Sequence, residues 1–221
     1  MFLERLALFD LDNTLLTCDS DYEWAKFLVE KGVIDREMHA ARNEVLFEHY
    51  RAGTLDINEF LEFHLKPLAT HPRAQLDAWH AEFMHERILP GIAKGTWDLL
   101  EKHAGDLRVI ITATNDFVTA PIADYLGVEH LIATEAEQIG GEFTGRFVGT
   151  PSFREGKVTR LEKWLEERDC GWDSVAECWF YSDSLNDLPL LSRVHKPVAV
   201  DPDDMLKRHA ETVGWQIISL R

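Results

Sequence analysis

The segment Leu6-Ala7-Leu8-Phe9-Asp10-Leu11-Asp12-Asn13-Thr14 sets two carboxylates one residue apart, directly behind an apolar run. Such a run reads as a parallel strand buried on both faces that halts where the polar residues begin. Asp10 and Asp12 then fall at its carboxyl end, the edge where open α/β sheets bind ligands. Side chains alternate along an extended chain, so residues 10 and 12 point the same way and can converge on one cation or one reacting phosphorus. The alternative is an acidic turn that caps a helix, and other segments must decide.

Three more polar breaks join the first. Thr112-Ala113-Thr114-Asn115 follows the apolar strand from Leu107 to Ile111, Lys157 enters a helix, and Ser182-Asp183-Ser184-Leu185-Asn186-Asp187 follows the strand from Cys178 to Tyr181. Acids gathered at one point repel unless a hard divalent cation joins them, and Mg²⁺ suits carboxylates that share it with phosphate oxygens. Asp10, Asp12 and Asp183 form the expected metal shell. Cleaving a phosphate ester also needs a nucleophile and groups that take up phosphate oxygens. Asp10 supplies the first. Thr112 with neighbouring backbone N–H groups, that of Ala113 among them, forms the cradle, and Lys157 balances the charge of a phosphoaspartate.

The elements that must position these groups are legible from their periodicity. Residues 20–88 carry four amphipathic helical patterns and no convincing strand. Ser20-Asp21-Tyr22-Glu23 reads as a capping box before a helix with Trp24, Phe27 and Leu28 on one face. The second pattern brings Met38, Ala41 and Val45 together and stops at Gly53. The third, capped by Asp56 with Glu59, carries Ile57, Phe60, Leu61 and Leu65; the fourth starts at Pro72 and buries Leu76, Trp79 and Phe83. Beyond Pro90 helices and strands alternate, the pattern of a parallel sheet covered on both faces, with a small hairpin at Gly140-Gly141. The expected organisation is an α/β catalytic core at residues 1–15 and 91–221, with an inserted all-helical cap at 16–90 acting as a lid over the active edge.

Composition narrows the function classes. The chain of 221 residues has 23 Lys+Arg against 39 Asp+Glu, a net charge of −16, which opposes nucleic acid and anionic membranes as partners. Cys18, Cys170 and Cys178 are odd in number and form no CxxC pair, so neither a disulfide framework nor a zinc site is expected. Early acids at the amino terminus argue against a signal peptide, and no apolar run approaches the ~20 residues of a membrane span. A cytoplasmic protein is expected, monomeric or dimeric, whose partner is a small phosphorylated metabolite. Of the ten histidines, His39, His49, His64, His71, His80 and His85 lie in the helical segment without metal-ligand pairing, so core or surface roles are expected.

Over its whole length the chain resembles the haloacid dehalogenase superfamily of phosphatases. The first motif of that family, DxDx[TV], stands at Asp10 to Thr14, the second at Thr112, the third at Lys157 and the fourth, an acid pair, at Asp183 and Asp187. The helical insertion resembles the cap of the phosphoserine-phosphatase-like branch, subfamily IB. The resemblance implies a Rossmann-like parallel sheet with helices on both faces. It also implies that Asp10 attacks phosphorus and that Asp12 protonates the leaving alcohol and later activates water. Mg²⁺ is then held by Asp10, the Asp12 carbonyl and Asp183, with support from Asp187. The chain departs from the branch where Ser182 and Ser184 replace the glycines of GDGxND.

The same resemblance frames the substrate. Phosphoserine phosphatases are expected to hold the substrate amine with an acid after the first motif, here Asp19 with Asp21 close by. They hold the carboxylate with a cap arginine, whose position falls at Glu62. Residues 16–90 carry 14 acids against 8 Lys+Arg, so a substrate with an amine and no carboxylate fits better. The run Phe153 to Leu161 and the segment Tyr181 to Leu191 resemble a bacterial subgroup with histidinol-phosphate phosphatases among its members. A Mg²⁺-dependent phosphomonoesterase acting on histidinol phosphate is therefore expected. Phosphoserine phosphatase, another small-metabolite phosphatase and a phosphotransferase are the alternatives within the family. A phospho-receiver signalling module also groups acids, Thr and Lys, but it has no helical insertion after its first strand.

Overall fold

The computed structural model describes residues 3–221. The chain runs β1 (Leu3–Phe9), α1 (Ser20–Glu30), α2 (Arg36–Ala52), α3 (Ile57–Leu65), α4 (Arg73–Phe83), α5 (Leu89–Gly91) and α6 (Thr96–Lys102). It continues through β2 (Leu107–Asn115), α7 (Asp116–Tyr125), β3 (His130–Ile139), β4 (Glu142–Val148), α8 (Glu155–Glu166) and β5 (Val175–Ser182). It closes with α9 (Leu188–Leu191), β6 (Lys196–Val200), α10 (Asp204–Val213) and β7 (Gln216–Ile218). The sheet order is β4-β3-β2-β1-β5-β6-β7, parallel except for β4. This is the α/β architecture expected from the alternation of elements. Because β1 lies between β2 and β5, the polar residues at their carboxyl ends are brought side by side.

The strand reading of β1 holds in detail. Leu6 and Leu8 pack on one face with Val109, Ile111, Leu161 and Phe180, and Ala7 and Phe9 on the other with Ile110 and Tyr181. All four β1 side chains are fully buried, each of the larger ones contributing about 1.5–3 kcal/mol of transfer free energy. The helices between β1 and β2 share that core. Trp24 of α1 lies 5.2 Å from the Phe83 ring of α4 and 5.4 Å from the Phe117 ring of α7, so it ties the helical segment to a helix of the sheet layer. At Gly140 and Gly141 both φ values are positive, 62° and 89°, which suits the tight β3–β4 hairpin.

Several local expectations are corrected. Asp19, not Ser20, caps α1: its carboxylate accepts the Tyr22 N–H at 2.9 Å. Met38, Ala41 and Val45 are exposed, and α2 instead buries His39 and Leu46. At 3.6 residues per turn both seven-residue pairs form a stripe, and the buried one is that of His39, whose ring stacks on Phe63 of α3 at 4.9 Å. Strand β2 runs past Ile111 to Asn115, because buried Thr112, Thr114 and Asn115 find partners for their polar atoms inside the protein.

Candidate active site

Asp10 continues the β1 ladder, its N–H donating to Tyr181 O at 2.9 Å. The chain then turns over Leu11–Leu15, with Asp12 still extended at φ −69° and ψ 131° and Asn13 in the left-handed region at φ 56°. Asp12 lies near enough for its charge to act on Asp10, but its carboxylate has partners of its own. It accepts the Ser20 N–H at 2.6 Å, the Thr114 hydroxyl at 2.7 Å and the Thr112 hydroxyl at 3.3 Å. Thr114 was missed in the sequence, although it sits two residues from Thr112 and thus on the same side of β2.

Lys157 is the hub of the site. It enters at the first turn of α8, 3% exposed, and its ammonium donates to Asp10 Oδ1 at 2.8 Å and Asp187 Oδ2 at 2.7 Å. Burial works against its charge, but the two carboxylates hold the ammonium above its ordinary range. Asp10 is less well compensated: burial outweighs Lys157, and with the Asp187 and Asp12 charges it lifts the carboxyl to about 7. The approach to α8 depends on Gly156, where a Cβ would stand 2.0 Å from Pro151 O.

Asp183 joins this group through Thr14, whose hydroxyl lies 3.2 Å from Asp183 Oδ1 and 3.4 Å from Asp10 Oδ2. Burial, then the Asp10 and Asp187 charges, push its carboxyl upward. The expected shell of three carboxylates is not assembled: among the described residues no three His, Cys, Asp or Glu side chains are grouped to hold an ion alone. The reason is that the Asp12 carboxylate is committed to Ser20 and the threonines, and Asp187 Oδ2 to Lys157 and Ser182. Asp10 and Asp187 share the Lys157 ammonium, and Asp183 is linked to Asp10 by the Thr14 hydroxyl. Two of these acids, Asp10 and Asp183, fit a cation that completes its sphere with main-chain carbonyl, water and phosphate oxygens, the habit of Mg²⁺.

The serines that replace glycine have definite work. Ser182 donates to Asp187 Oδ2 at 2.7 Å and accepts the Ser184 N–H at 3.2 Å. Ser184 accepts the Asn186 N–H at 3.2 Å and meets the Tyr50 hydroxyl of α2 at 3.0 Å. Glycine offers neither hydroxyl, and the Tyr50 contact fastens α2 to the loop that carries Asp183. Asp203, the cap of α10, accepts the Leu185 N–H at 2.9 Å and steadies the same loop. Arg154 reaches across to Asn186 Oδ1 at 2.9 Å.

The residues expected to face the leaving group separate. Asp19 is exposed and spent on capping α1, and Glu62 is exposed on α3 outside this network of contacts. Asp21 is 4% exposed, lies 3.2 Å from His64 Nδ1 and takes the Asn115 side-chain amide at 3.4 Å. His64 was missed; its only sequence signal is its place beside Phe60, Leu61 and Leu65 on the buried stripe of α3. Ala113 is fixed through its carbonyl, which accepts the Thr134 hydroxyl at 2.9 Å.

Two expectations follow. Lys157→Met leaves two buried acids facing each other, so urea denaturation should show a loss of about 3–5 kcal/mol; an unchanged midpoint contradicts the hub role. Burial raises the Asp21 carboxyl from 3.8 to about 7. Its folded pKa thus lies above the unfolded one, and the penalty is absent below the unfolded value, grows as pH rises and is complete above about 7. Asp21→Asn should therefore raise Tm more at pH 8 than at pH 5. An equal or opposite shift in thermal melts at the two pH values counts against a buried, costly carboxylate.

Comparison with known proteins agrees with this geometry. Residues 7–192 match the haloacid dehalogenase-like hydrolase family. A histidinol-phosphatase of Neisseria meningitidis is 43% identical over 99% of this chain and 100% of its own length. A phosphoserine phosphatase of Mycobacterium tuberculosis is 32% identical over 99% of this chain and 72% of its own. The crystal structure of a Bordetella pertussis protein of unknown function superposes with a TM-score of 0.92 at 49% identity, covering 99% of this chain and 100% of that one. A phosphoserine phosphatase with a phospho-aspartyl intermediate analogue shares the fold, with a TM-score of 0.68 at 18% identity over 99% of this chain and 94% of that one. With the family matched over residues 7–192, and Lys157 joining Asp10 to Asp187 while Thr112 meets Asp12, the chain belongs to the haloacid dehalogenase-like hydrolases.

Proposed function

We propose that this chain, a phosphoric monoester hydrolase, acts on histidinol phosphate through a phosphoaspartate formed on Asp10. The observation that carries the reading is the end-to-end 43% identity with a histidinol-phosphatase. The Asp10–Lys157–Asp187 cluster and the separate Asp12 carboxylate support the mechanism. Asp10 attacks phosphorus, and Lys157 keeps its carboxylate oriented and offsets charge on the phosphorylated form. The Thr112 hydroxyl and the backbone N–H of Ala113 take up phosphoryl oxygens. Asp10, Asp183 and the Asp12 carbonyl would hold Mg²⁺, which would supply positive charge to offset the acids and the phosphate oxygens.

Asp12 serves as proton donor to the leaving alcohol. Burial lifts its carboxyl to about 6 against the pull of the Ser20 and Thr114 hydrogen bonds. A group near that value can give a proton in one step and take one from water in the next. Residues 16–90 form a cap that shields this exchange, a role supported by two links to the sheet edge. The Ser20 N–H holds Asp12, and Tyr50 holds Ser184. The acid excess of the cap favours a cationic leaving group and disfavours the carboxylate of phosphoserine.

Steady-state kinetics on a panel of phosphomonoesters should give kcat/KM for histidinol phosphate above that for phosphoserine by about tenfold or more, and the reverse order overturns the substrate reading. Asp12→Asn should slow histidinol phosphate hydrolysis by about 10²–10⁴-fold and affect an activated aryl phosphate less, because that leaving group needs no proton. Equal losses on the two esters rule out Asp12 as the acid.

A further inference from the structure

Arg154 stands where a glycine would be free. Its φ is 51° and its ψ −120°, and the Gly156 N–H donates to Phe153 O at 2.8 Å. This is a type II′ turn with Arg154 at the first central position, which glycine dominates because a Cβ there is strained. Such strain persists where the surroundings hold it in place, and it clusters at functional sites. The turn opens directly into α8 and Lys157.

The turn carries the arginine to the cap and to the acid segment at once. Its Nε donates to Asn186 Oδ1 at 2.9 Å, and its guanidinium lies over the Phe153 ring at 5.0 Å. The same group reaches the end of α2 at Gly53, where a Cβ would stand 3.3 Å from Arg154 Nη2. A cation there meets the negative end of the helix dipole. From Asn186 the contacts run back to α2. The Asn186 N–H and side-chain amide donate to Ser184 Oγ at 3.2 and 3.4 Å, and Ser184 Oγ meets the Tyr50 hydroxyl at 3.0 Å. The Tyr50 ring in turn lies 6.2 Å from that of Phe153. These contacts close a ring that begins and ends on the last turn of α2. Asp183 directly precedes Ser184, and Ser182 ties Asp187 into the same segment.

Helix α2 depends on this hold more than its neighbours do. Trp24 of α1 and His80 of α4 are anchored on α7, by the Phe117 ring at 5.4 Å and by Val118 O at 2.9 Å. The buried side chains described on α2 are His39 and Leu46, and Tyr50 meets the sheet edge through a polar contact. We propose that Arg154 is a positioning residue for the hydrolysis: from its strained turn it fixes Asn186 and, with Tyr50, seats α2 on the Ser182–Asp187 segment, so that Asp183 and Asp187 stand in register with Asp10. Arg154 acts through Asn186 and not on the ester. The assignment rests on Asp10 as nucleophile and is independent of which ester is the substrate.

Para-nitrophenyl phosphate is therefore the test substrate. Arg154→Gly should lower kcat by about tenfold or more, the effect of one charge-assisted hydrogen bond, with KM within about twofold of wild type. Its Tm should be unchanged or higher, because glycine releases the strained turn. Tyr50→Phe should lower kcat by about threefold to tenfold, and the double variant should stay within about twofold of Arg154→Gly, since both residues belong to one ring. Unchanged kcat in Arg154→Gly, a Tm that falls together with kcat, or losses that multiply in the double variant each overturn the assignment. Turnover retained in Asp10→Asn overturns the nucleophile reading and the assignment with it.

Discussion

One buried ammonium sets the geometry on which the rest of the site depends. Lys157 reaches from the first turn of α8 to Asp10 behind β1 and to Asp187 behind β5, joining three segments far apart in the chain. Each carboxylate is otherwise too deeply buried to remain charged, and the ammonium is kept charged only by having two of them. Neither half is stable without the other. Such a cluster is a poor way to gain stability, since buried ions lose their hydration. Its persistence makes sense where an oriented, charged carboxylate is needed to react.

Around that centre the protein divides its acids by environment. Asp10 faces Lys157; Asp12, only two residues on, faces hydroxyls and a backbone N–H; Asp183 shares Thr14 with Asp10. The division follows from the partners that neighbouring segments bring: Lys157 of α8 to Asp10, and Ser20, Thr112 and Thr114 to Asp12. The turn after Asp12 leads the chain into α1, whose Ser20 N–H holds the Asp12 carboxylate. Trp24 and Tyr50 then fasten the helical segment to α7 and to the Asp183 loop.

Much of this was legible in the residues alone. The apolar run before Asp10 marks a buried strand, the alternation after Pro90 marks a parallel sheet, and four polar breaks mark one reactive edge. What was not legible depends on long-range packing. Period-two reasoning brought Asp10 and Asp12 to one edge, but it did not show their separate partners, Lys157 for Asp10 and the Ser20 N–H with two threonine hydroxyls for Asp12. Ser182 and Ser184 looked like a loss of glycine, whereas their hydroxyls bond Asp187 and Tyr50 across the fold. His64 carried no motif, because its meaning comes from Asp21, which lies on another helix. The exposed stripe of α2 shows the same limit: helical spacing identifies a helix without telling which of two candidate faces its neighbours cover.

The account stands or falls on a covalent bond at Asp10. Rapid acid quench during turnover of histidinol phosphate, followed by peptide mass spectrometry, should find a phosphoryl group on the peptide that contains Asp10 and should not find it in Asp10→Asn. Turnover without such an adduct, or an adduct on another residue, contradicts the central claim.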